Sequence, residues 1–404
     1  MAIGFCYISS MTLPLKPRQL RIALAIFERG SAMRAGAEAH LSAPAVLGAL
    51  GALEAQLGET LFERGSAGMR ATPAGAAFCA RIKAALFELK HAEAALHGKK
   101  RFSGVIDHVH LRALFALLEH ESVSAAARAL GLAQPTLHRA ARELEALTGV
   151  KLWERVGRAL RPTWAALRLG EHAGRYQAEL RLGADELWEA RGQHAGRLYV
   201  GALPLARSTW LPESLSRTLQ DYPQAEIDIM DGPYDEQRAA LTNGRIDLIL
   251  GPLRAPTPDL TQECLFSDPL TIVTGPNHPL AGAEHVSPEA LASLAWILPP
   301  QGTPSRAAFA AYMQTQGAGV PHAIACNSLI TIQAFLARTN HAAVLSKRQI
   351  TGELARGDLV AIGAPLPGSA QPIGITSRVK FRASGLITAF LNHARDVAGE
   401  ISRS

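Results

Sequence analysis

SVSAAARALGLAQPTLHRAARELEALTGVKLWERVGRALRP, residues 122–162, is the stretch on which the fold turns. Ser122 is a good N-cap for a short Ala-rich helix that runs to Leu130. Gly131-Leu132 makes a tight turn, and Pro135 falls where the first turn of a helix tolerates proline. Leu137, Leu144 and Leu147 then carry an apolar stripe to about residue 147. Two helices joined by a short Gly-containing turn predict a helix-turn-helix. Upstream, Leu111, Leu114, Phe115 and Leu118 recur at helical spacing and predict a preceding helix. Downstream, 151–155 and 160–161 read as two short strands around the turn 156–159. This is a wing, whose Arg155, Arg158 and Arg161 are expected beside the recognition helix, within reach of phosphates or a minor groove. A long Leu- and Ala-rich helix, a candidate dimerising linker, is expected from 163 to about 191.

Sliding the chain on itself by 91 residues aligns 20–75 with 111–166 without a gap, and 19 of those 56 pairs are identical. The front half is therefore a duplication. Landmarks shared by the copies include Ser31/Ser122, Pro44/Pro135, Glu54/Glu145, Gly58/Gly149, Arg64/Arg155 and Arg70/Arg161. Residues 1–195 carry a net charge of +7, whereas 196–404 carry −1. A basic front half suits a nucleic-acid module joined to something that does not touch phosphate.

The copies differ in the property that DNA reading needs. Between Arg128 and Arg161 there are seven basic and three acidic residues, whereas the aligned span 37–70 has two and four. At the groove-facing positions the second copy presents Gln134, Thr136, His138, Arg139 and Arg142; the first has Ala43, Ala45, Leu47, Gly48 and Gly51. Base reading needs hydrogen-bonding side chains, and affinity rests on neutralising phosphate. Only the second copy is thus expected to read DNA. The first keeps apolar positions such as Leu41, Val46, Leu53, Leu57, Leu61 and Phe62, and so is expected to fold. Gly48 and Gly51, which permit close backbone approach, together with the apolar Leu47 and Leu50, are expected to make its former recognition helix a protein-contact surface.

The ordered set Ser122, Ala126-Ala127-Arg128, Leu130, 132–139, Leu144-Glu145, Gly149 and Leu152-Trp153-Glu154-Arg155 resembles the DNA-binding signature of LysR-type regulators. Two departures are Ala133, where the family has a small polar residue, and Trp164-Ala165-Ala166, which replaces an acidic helix start. Segments 196–204, 244–251 and 278–280 resemble the effector domain of the same family. The resemblance implies α-helical winged helix-turn-helix repeats followed by a two-lobe α/β domain similar to periplasmic solute-binding proteins. The expected divisions are a degenerate winged helix with a helical tail (12–97), a DNA-binding winged helix (105–163), a linker helix (164–194) and an effector domain (196–400). Lobe one would take 196–275 and 370–400, lobe two 276–369, with two crossing strands as the hinge. The implied partners are double-stranded DNA, a small-molecule effector, further copies of the chain in a homodimer or homotetramer, and RNA polymerase.

From Arg197 onward short β-rich runs alternate with helical segments, which predicts largely parallel α/β sheets. Strands are expected at 198–202, 225–230, 246–251, 270–274, 295–298, 323–326, 342–345 and 372–376. Ligands of open α/β sheets sit beyond the C-terminal strand ends, against helix N-termini. The loops meeting that rule place Arg207, Ser208, Thr209, Gly251, Pro252, Gln301, Gly302, Thr303, Asn327, Ser328 and Ser346 around an effector cleft. Thr303, Ser328 and their kind also read as caps or turn residues.

Other classes fare less well. No apolar run approaches the roughly 18 residues of a membrane span, and the start lacks a secretory signal, so a cytoplasmic location is expected. Cys6, Cys79, Cys264 and Cys326 have neither zinc nor disulfide spacing and read as ordinary thiols, a Cys264–Cys326 redox pair being the alternative. His108 and His110 have no third ligand in the nearby sequence, so no metal is expected. GxSxG, GxxxxGK[ST] and HExxH are all missing, so the chain does not read as an enzyme and no cofactor is expected. The competing reading is a cytoplasmic small-molecule-binding protein of solute-binding fold without a regulatory role.

Overall fold

The computed structural model describes residues 15–66, 68–96, 100–120, 122–156, 159–320 and 322–403. Its first unit consists of α1 (Pro17–Arg29), α2 (Ala32–Ala39), α3 (Ala43–Leu57), the hairpin β1 (Phe62–Gly65) and β2 (Gly68–Ala71), and α4 (Pro73–Ala95). The second repeats the plan with α5 (His108–Glu119), α6 (Val123–Ala129), α7 (Gln134–Thr148), β3 (Trp153–Val156), β4 (Ala159–Pro162) and α8 (Trp164–Ala190). Local devices recur 91 residues apart because the residues that make them do. Ser31 and Ser122 cap α2 and α6, Thr72 and Thr163 cap α4 and α8, and left-handed Gly58 and Gly149 end α3 and α7. Glu54 accepts from Leu61 N at 2.8 Å and Phe62 N at 3.1 Å; Glu145 does the same for Leu152 N at 2.9 Å and Trp153 N at 3.2 Å. Each carboxylate ties a recognition helix to its wing.

The two departures have separate outcomes. Ala133 leaves the start of α7 without a side-chain cap, whereas Ser42 still caps α3 in the first copy. Thr163 Oγ1 accepts from Ala166 N at 3.3 Å, so α8 is capped despite its apolar first turn.

The copies face each other about a pseudo-two-fold. α4 packs along α8, and one continuous core joins Leu20, Ile26, Phe78, Ile82 and Leu89 to Leu111, Leu169, Tyr176 and Leu180. Arg81 of α4 pairs with Glu179 of α8 at 3.0 Å, while His172 of α8 meets Glu88 of α4 at 2.9 Å. Residues 81 and 172 are 91 apart, and so are 88 and 179. A second exchange has its donors 91 residues apart and its acceptors 89 apart. Lys100 donates to Ala146 O at 2.9 Å in the last turn of α7, and Arg191 donates to Leu57 O at 2.7 Å at the end of α3. Each cation satisfies orphan carbonyls at the negative end of the other copy's recognition helix. Reciprocal contacts of this kind define an isologous interface. The linker helix expected to dimerise thus finds its partner inside the same chain.

In the rear half, β5 (Ala195–Ala202) is followed by α9 (Pro204–Ser208), α10 (Trp210–Asp221), β6 (Gln224–Met230), α11 (Tyr234–Thr242), β7 (Leu248–Pro252), β8 (Leu260–Asp268) and β9 (Leu270–Thr274). Then come α12 (Pro288–Ser293), β10 (Ala295–Leu298), α13 (Pro304–Thr315), β11 (Ala323–Ala325), α14 (Leu329–Leu336), β12 (His341–Ser346), α15 (Thr351–Arg356), β13 (Val360–Ile362), β14 (Gln371–Arg378) and α16 (Gly385–Arg403). One sheet has the order β6-β5-β7-β14-β8, the other β11-β10-β12-β9-β13.

Three expectations need correction. The sheets are mixed, since β5 and β10 each pair in parallel with two neighbours whereas β14 and β9 each pair antiparallel with two. β9 belongs to the second sheet, so the lobe boundary falls at 268–270 and not after 275. Strands β8 and β13 were not expected at all; both are edge strands, where one ladder of hydrogen bonds suffices and polar residues such as Gln262 and Glu263 are tolerated.

At the crossover, Leu270 N donates to Ser369 Oγ at 2.9 Å and Leu366 N to Leu270 O at 2.8 Å, which ties the two crossing segments together. α8 is anchored to the first lobe: Arg175 donates to Thr242 O at 2.8 Å, and Arg181 to the buried Asp247 at 2.5 Å. Gly174 makes this approach feasible, because a Cβ there would stand 1.9 Å from Asn243 O.

Candidate nucleic-acid interface and effector cleft

α7 buries Leu137, Ala140, Ala141 and Leu144 and turns its other side to solvent. Gln134, His138 and Arg142 follow one another at four-residue intervals along that side, with Arg139 next to them. They line a concavity of about 1170 Å³ together with Ser122, Ser124, Lys151, Trp153 and Arg155. Thr136 sits half-buried on the flank of the helix and does not line it.

Strand alternation divides the wing. Trp153 and Arg155 share a face, and that face turns to α7. Arg161 stands opposite Glu154 and therefore projects from the other face, away from the groove. The expectation that the wing arginines act side by side is corrected for Arg161 by this two-residue period. Arg158 lies outside the described residues. Ser124 and Lys151 were missed from sequence. Gln134 Nε2 donates to Ser124 Oγ, and the Lys151 side chain is 82% exposed at the groove edge. Only the position of Ser124 two residues after the cap Ser122 could have pointed to it.

Two acids of the lining, Glu143 and Glu145, temper the positive charge. Glu143 lies 4.0 Å from Arg139 and 3.7 Å from His110. Glu119, in the last turn of α5, is pushed up to about 7 by burial, which the nearby Arg245 offsets only in part. The folded protein therefore keeps a proton that the unfolded chain has already lost, so Glu119 makes stability fall as pH rises from about 4.5 to 7. Glu119→Gln is expected to flatten that decline; denaturant titrations at pH 5 and 7.5 that give the parent's slope would contradict it.

The corresponding face of α3 carries Ala43, Ala45, Leu47, Gly48 and Gly51, of which Ala45, Gly48 and Gly51 are exposed. Leu50 is buried within its own unit and Leu47 is half-buried, so neither forms the open apolar contact face expected of them. Among the described residues, Glu88, His91 and His172 bring possible metal-ligand atoms within 4.8 Å of one another. A guanidinium already fills the place of a cation there. Arg175 Nε donates to Glu88 at 2.8 Å and Nη2 lies 2.7 Å from His172 Nδ1. Burial raises the Glu88 carboxyl, but His172 and Arg175 outweigh it and hold it below the usual range.

The expected cleft loops lie beyond the C-terminal ends of β5, β7, β10, β11 and β12. Arg207, Ser208 and Thr209 belong to or follow α9, which packs on the turn at Arg348–Ile350 in the second lobe. Arg207 pairs with Asp231. Gly251 and Pro252 end β7, and Leu203 packs where a Gly251 Cβ would stand. Gln301 and Gly302 lead into Thr303, which caps α13 by accepting from Arg306 N at 3.3 Å. Asn327 precedes Ser328, which caps α14 by accepting from Thr331 N at 3.4 Å. Ser346 is buried and bonds Asp268 at the crossover, with Arg348 Nε 3.4 Å from the same carboxylate. It belongs to the hinge more than to the cleft wall. Cys264 is a free thiol on β8 of the first sheet and Cys326 one just past the end of β11 in the second, Cys79 is buried, and Cys6 lies outside the described residues.

Among the described residues no helix is long and apolar enough to cross a membrane. The model for the bacterial regulatory helix-turn-helix protein, lysR family, matches at both 17–76 and 108–167, and that for the LysR substrate binding domain matches 191–399. The HTH-type transcriptional regulator GalR of Pseudomonas putida is 30% identical over 388 residues, 95% of this chain and 97% of GalR. Two solved structures share the fold. A full-length OxyR variant from Pseudomonas aeruginosa is 22% identical with a TM-score of 0.54, covering 71% of this chain and 94% of OxyR. CbnR, a LysR family transcriptional regulator, is 21% identical with a TM-score of 0.54, covering 72% of this chain and 98% of CbnR.

Proposed function

The chain belongs to the LysR family, transcriptional regulators that join a DNA-binding helix-turn-helix to an effector-binding domain, and from that premise we propose how its residues divide the work. The second winged helix holds double-stranded DNA: Gln134, His138, Arg139 and Arg142 read base edges, while Lys151 and Arg155 grip phosphate. One observation carries this reading. Of two superposable recognition helices, α7 alone presents a polar, basic face at the groove-facing positions. A small molecule binds between the lobes, against the N-termini of α13 and α14, where Thr303 and Ser328 each engage one N–H and leave the others of the first turn to a ligand. The chain works in the cytoplasm as a homo-oligomer.

The test of the cleft uses the full chain and a panel of organic acids, aromatic acids and sugars in thermal unfolding. A true effector at a hundredfold excess over its Kd is expected to stabilise the protein by about 2.7 kcal/mol. Thr303→Ala with Ser208→Ala should diminish that shift, measured against the unliganded variant, whose own stability falls by about 1 kcal/mol with the Thr303 cap. An undiminished shift in the double variant would mean the pocket lies elsewhere.

A further inference from the structure

We propose that a single chain is a complete pseudo-dimer that reads one DNA half-site, its first winged helix occupying the second arm without reading it. The inference rests on the second copy being the DNA reader. Two-fold dimers of such units place their recognition helices over inverted half-sites. Here Arg81–Glu179 with His172–Glu88 obeys one 91-residue shift, and Lys100–Ala146 with Arg191–Leu57 matches it in the donors and comes within two residues of it in the acceptors. The arrangement that would normally need two identical chains is therefore built from two halves of one. The apolar face of α8 is already covered by α4, and no second copy is needed to complete the unit.

The arms are chemically unequal. α7 offers an amide, an imidazole and two guanidinium groups to base edges. At the same positions α3 offers alanine, leucine and glycine, which have no side-chain donor or acceptor to distinguish one base pair from another. The first wing keeps Arg64, the counterpart of Arg155, exposed, so that arm can still hold phosphate, a contact without sequence information. Base-specific binding by one chain is consequently asymmetric, and any second half-site must be read by a second chain at a spacing set by other contacts.

The decisive experiment is selection of duplexes from a randomised pool by the full chain, with the mass of each complex measured by sedimentation. The expected motif is one half-site for each bound chain. The same selection is run on Ala43→Gln/Ala45→Thr/Gly48→Arg/Gly51→Arg, which gives α3 four of the five groove-facing residues of α7 and leaves the half-buried Leu47 in place. A Cβ at Gly48 or Gly51 meets no atom within 4 Å, and mid-helix glycine is the poorer helix former by about 1 kcal/mol, so the changes suit the fold. This variant should acquire an inverted second half-site at fixed spacing and prefer the two-armed site about tenfold or more, the lower range for one added bidentate contact. If it fails to fold, Gly48→Arg/Gly51→Arg is expected to show the same extension more weakly. An inverted repeat selected by the parent at one chain per repeat would overturn the proposal, as would a folded variant that selects only the single half-site. Enrichment of no motif by the parent is a different result: it sinks the assignment of the second copy as the reader.

Discussion

Arg139→Ala is expected to weaken binding to the selected half-site by about 1–3 kcal/mol and to relax base preference at one position. Gln134→Ala should do the same at a neighbouring position, with the added loss of its bond to Ser124. Both residues stand on the solvent side of α7, clear of the core of Leu137, Ala140, Ala141 and Leu144, so stability should hardly change. Arg155→Ala should instead lower affinity for every sequence alike and reduce the salt slope by about one, as expected of a phosphate contact. Gly48→Ala and Gly51→Ala in the first copy should leave base preference intact. Titrations must be compared at one salt concentration, because phosphate contacts make affinity steeply salt-dependent. Loss of base preference from the two glycine changes, or its retention in both Arg139→Ala and Gln134→Ala, would refute the division of labour between the copies.

Asp247→Ala is expected to be the most damaging single change to stability, at about 3–5 kcal/mol. Asp247 is fully buried, accepts from Arg181 at 2.5 Å and from Tyr199 N at 3.1 Å, and lies 4.0 Å from Arg378. Without it, the acids left to the two buried guanidinium groups are Asp185, 3.7 Å from Arg181, and Glu179, whose charge acts on Arg378 from further off. Burial has itself pushed the Asp185 carboxyl up to about 6, so that partner is a poor replacement at low pH. Because Arg181 lies on α8 and Asp247 leads into β7, the break falls at the joint between the pseudo-dimer and the first lobe. Denaturant unfolding should show the loss, and Asp247→Ala/Arg181→Leu should recover part of it by removing the stranded charge. A loss below about 1 kcal/mol would mean that water or rearrangement rescues the pair.

Most of the winged helices was legible because their determinants are local. Caps at Ser122 and Thr163, glycine at 131 and 149 and the Leu stripe of α7 act within a few residues of where they stand. The cleft loops were legible only in position. β5, β10 and β12 could be recognised as apolar runs, and their C-terminal ends follow, but the side chains there proved to have other tasks as well. Thr303 and Ser328 cap helices, Arg207 pairs with Asp231, and Ser346 bonds Asp268 at the crossover. Edge strands β8 and β13 escaped because half-paired strands need neither alternation nor a fully apolar run. β9 was recognised as a strand yet assigned to the wrong lobe, since its partners β12 and β13 lie some 70 to 90 residues further along the chain.

The chemical inequality of the two copies follows from amino-acid sequence alone, because Gln134, His138, Arg139 and Arg142 occupy helical positions whose counterparts are Ala43, Leu47, Gly48 and Gly51. So does the duplication itself, through its constant shift of 91 residues. Neither could say with whom α8 pairs. An apolar helix face is covered equally well by a second chain or by a distant part of its own, and the hydrophobic effect has no direction that would choose between them. The choice emerges only in three dimensions, where Arg81 meets Glu179 and His172 meets Glu88 within one molecule. The same holds for the wing. Arg155 and Arg161 are equivalent as residue types, and only the pairing of β3 with β4 turns the first toward α7 and the second away.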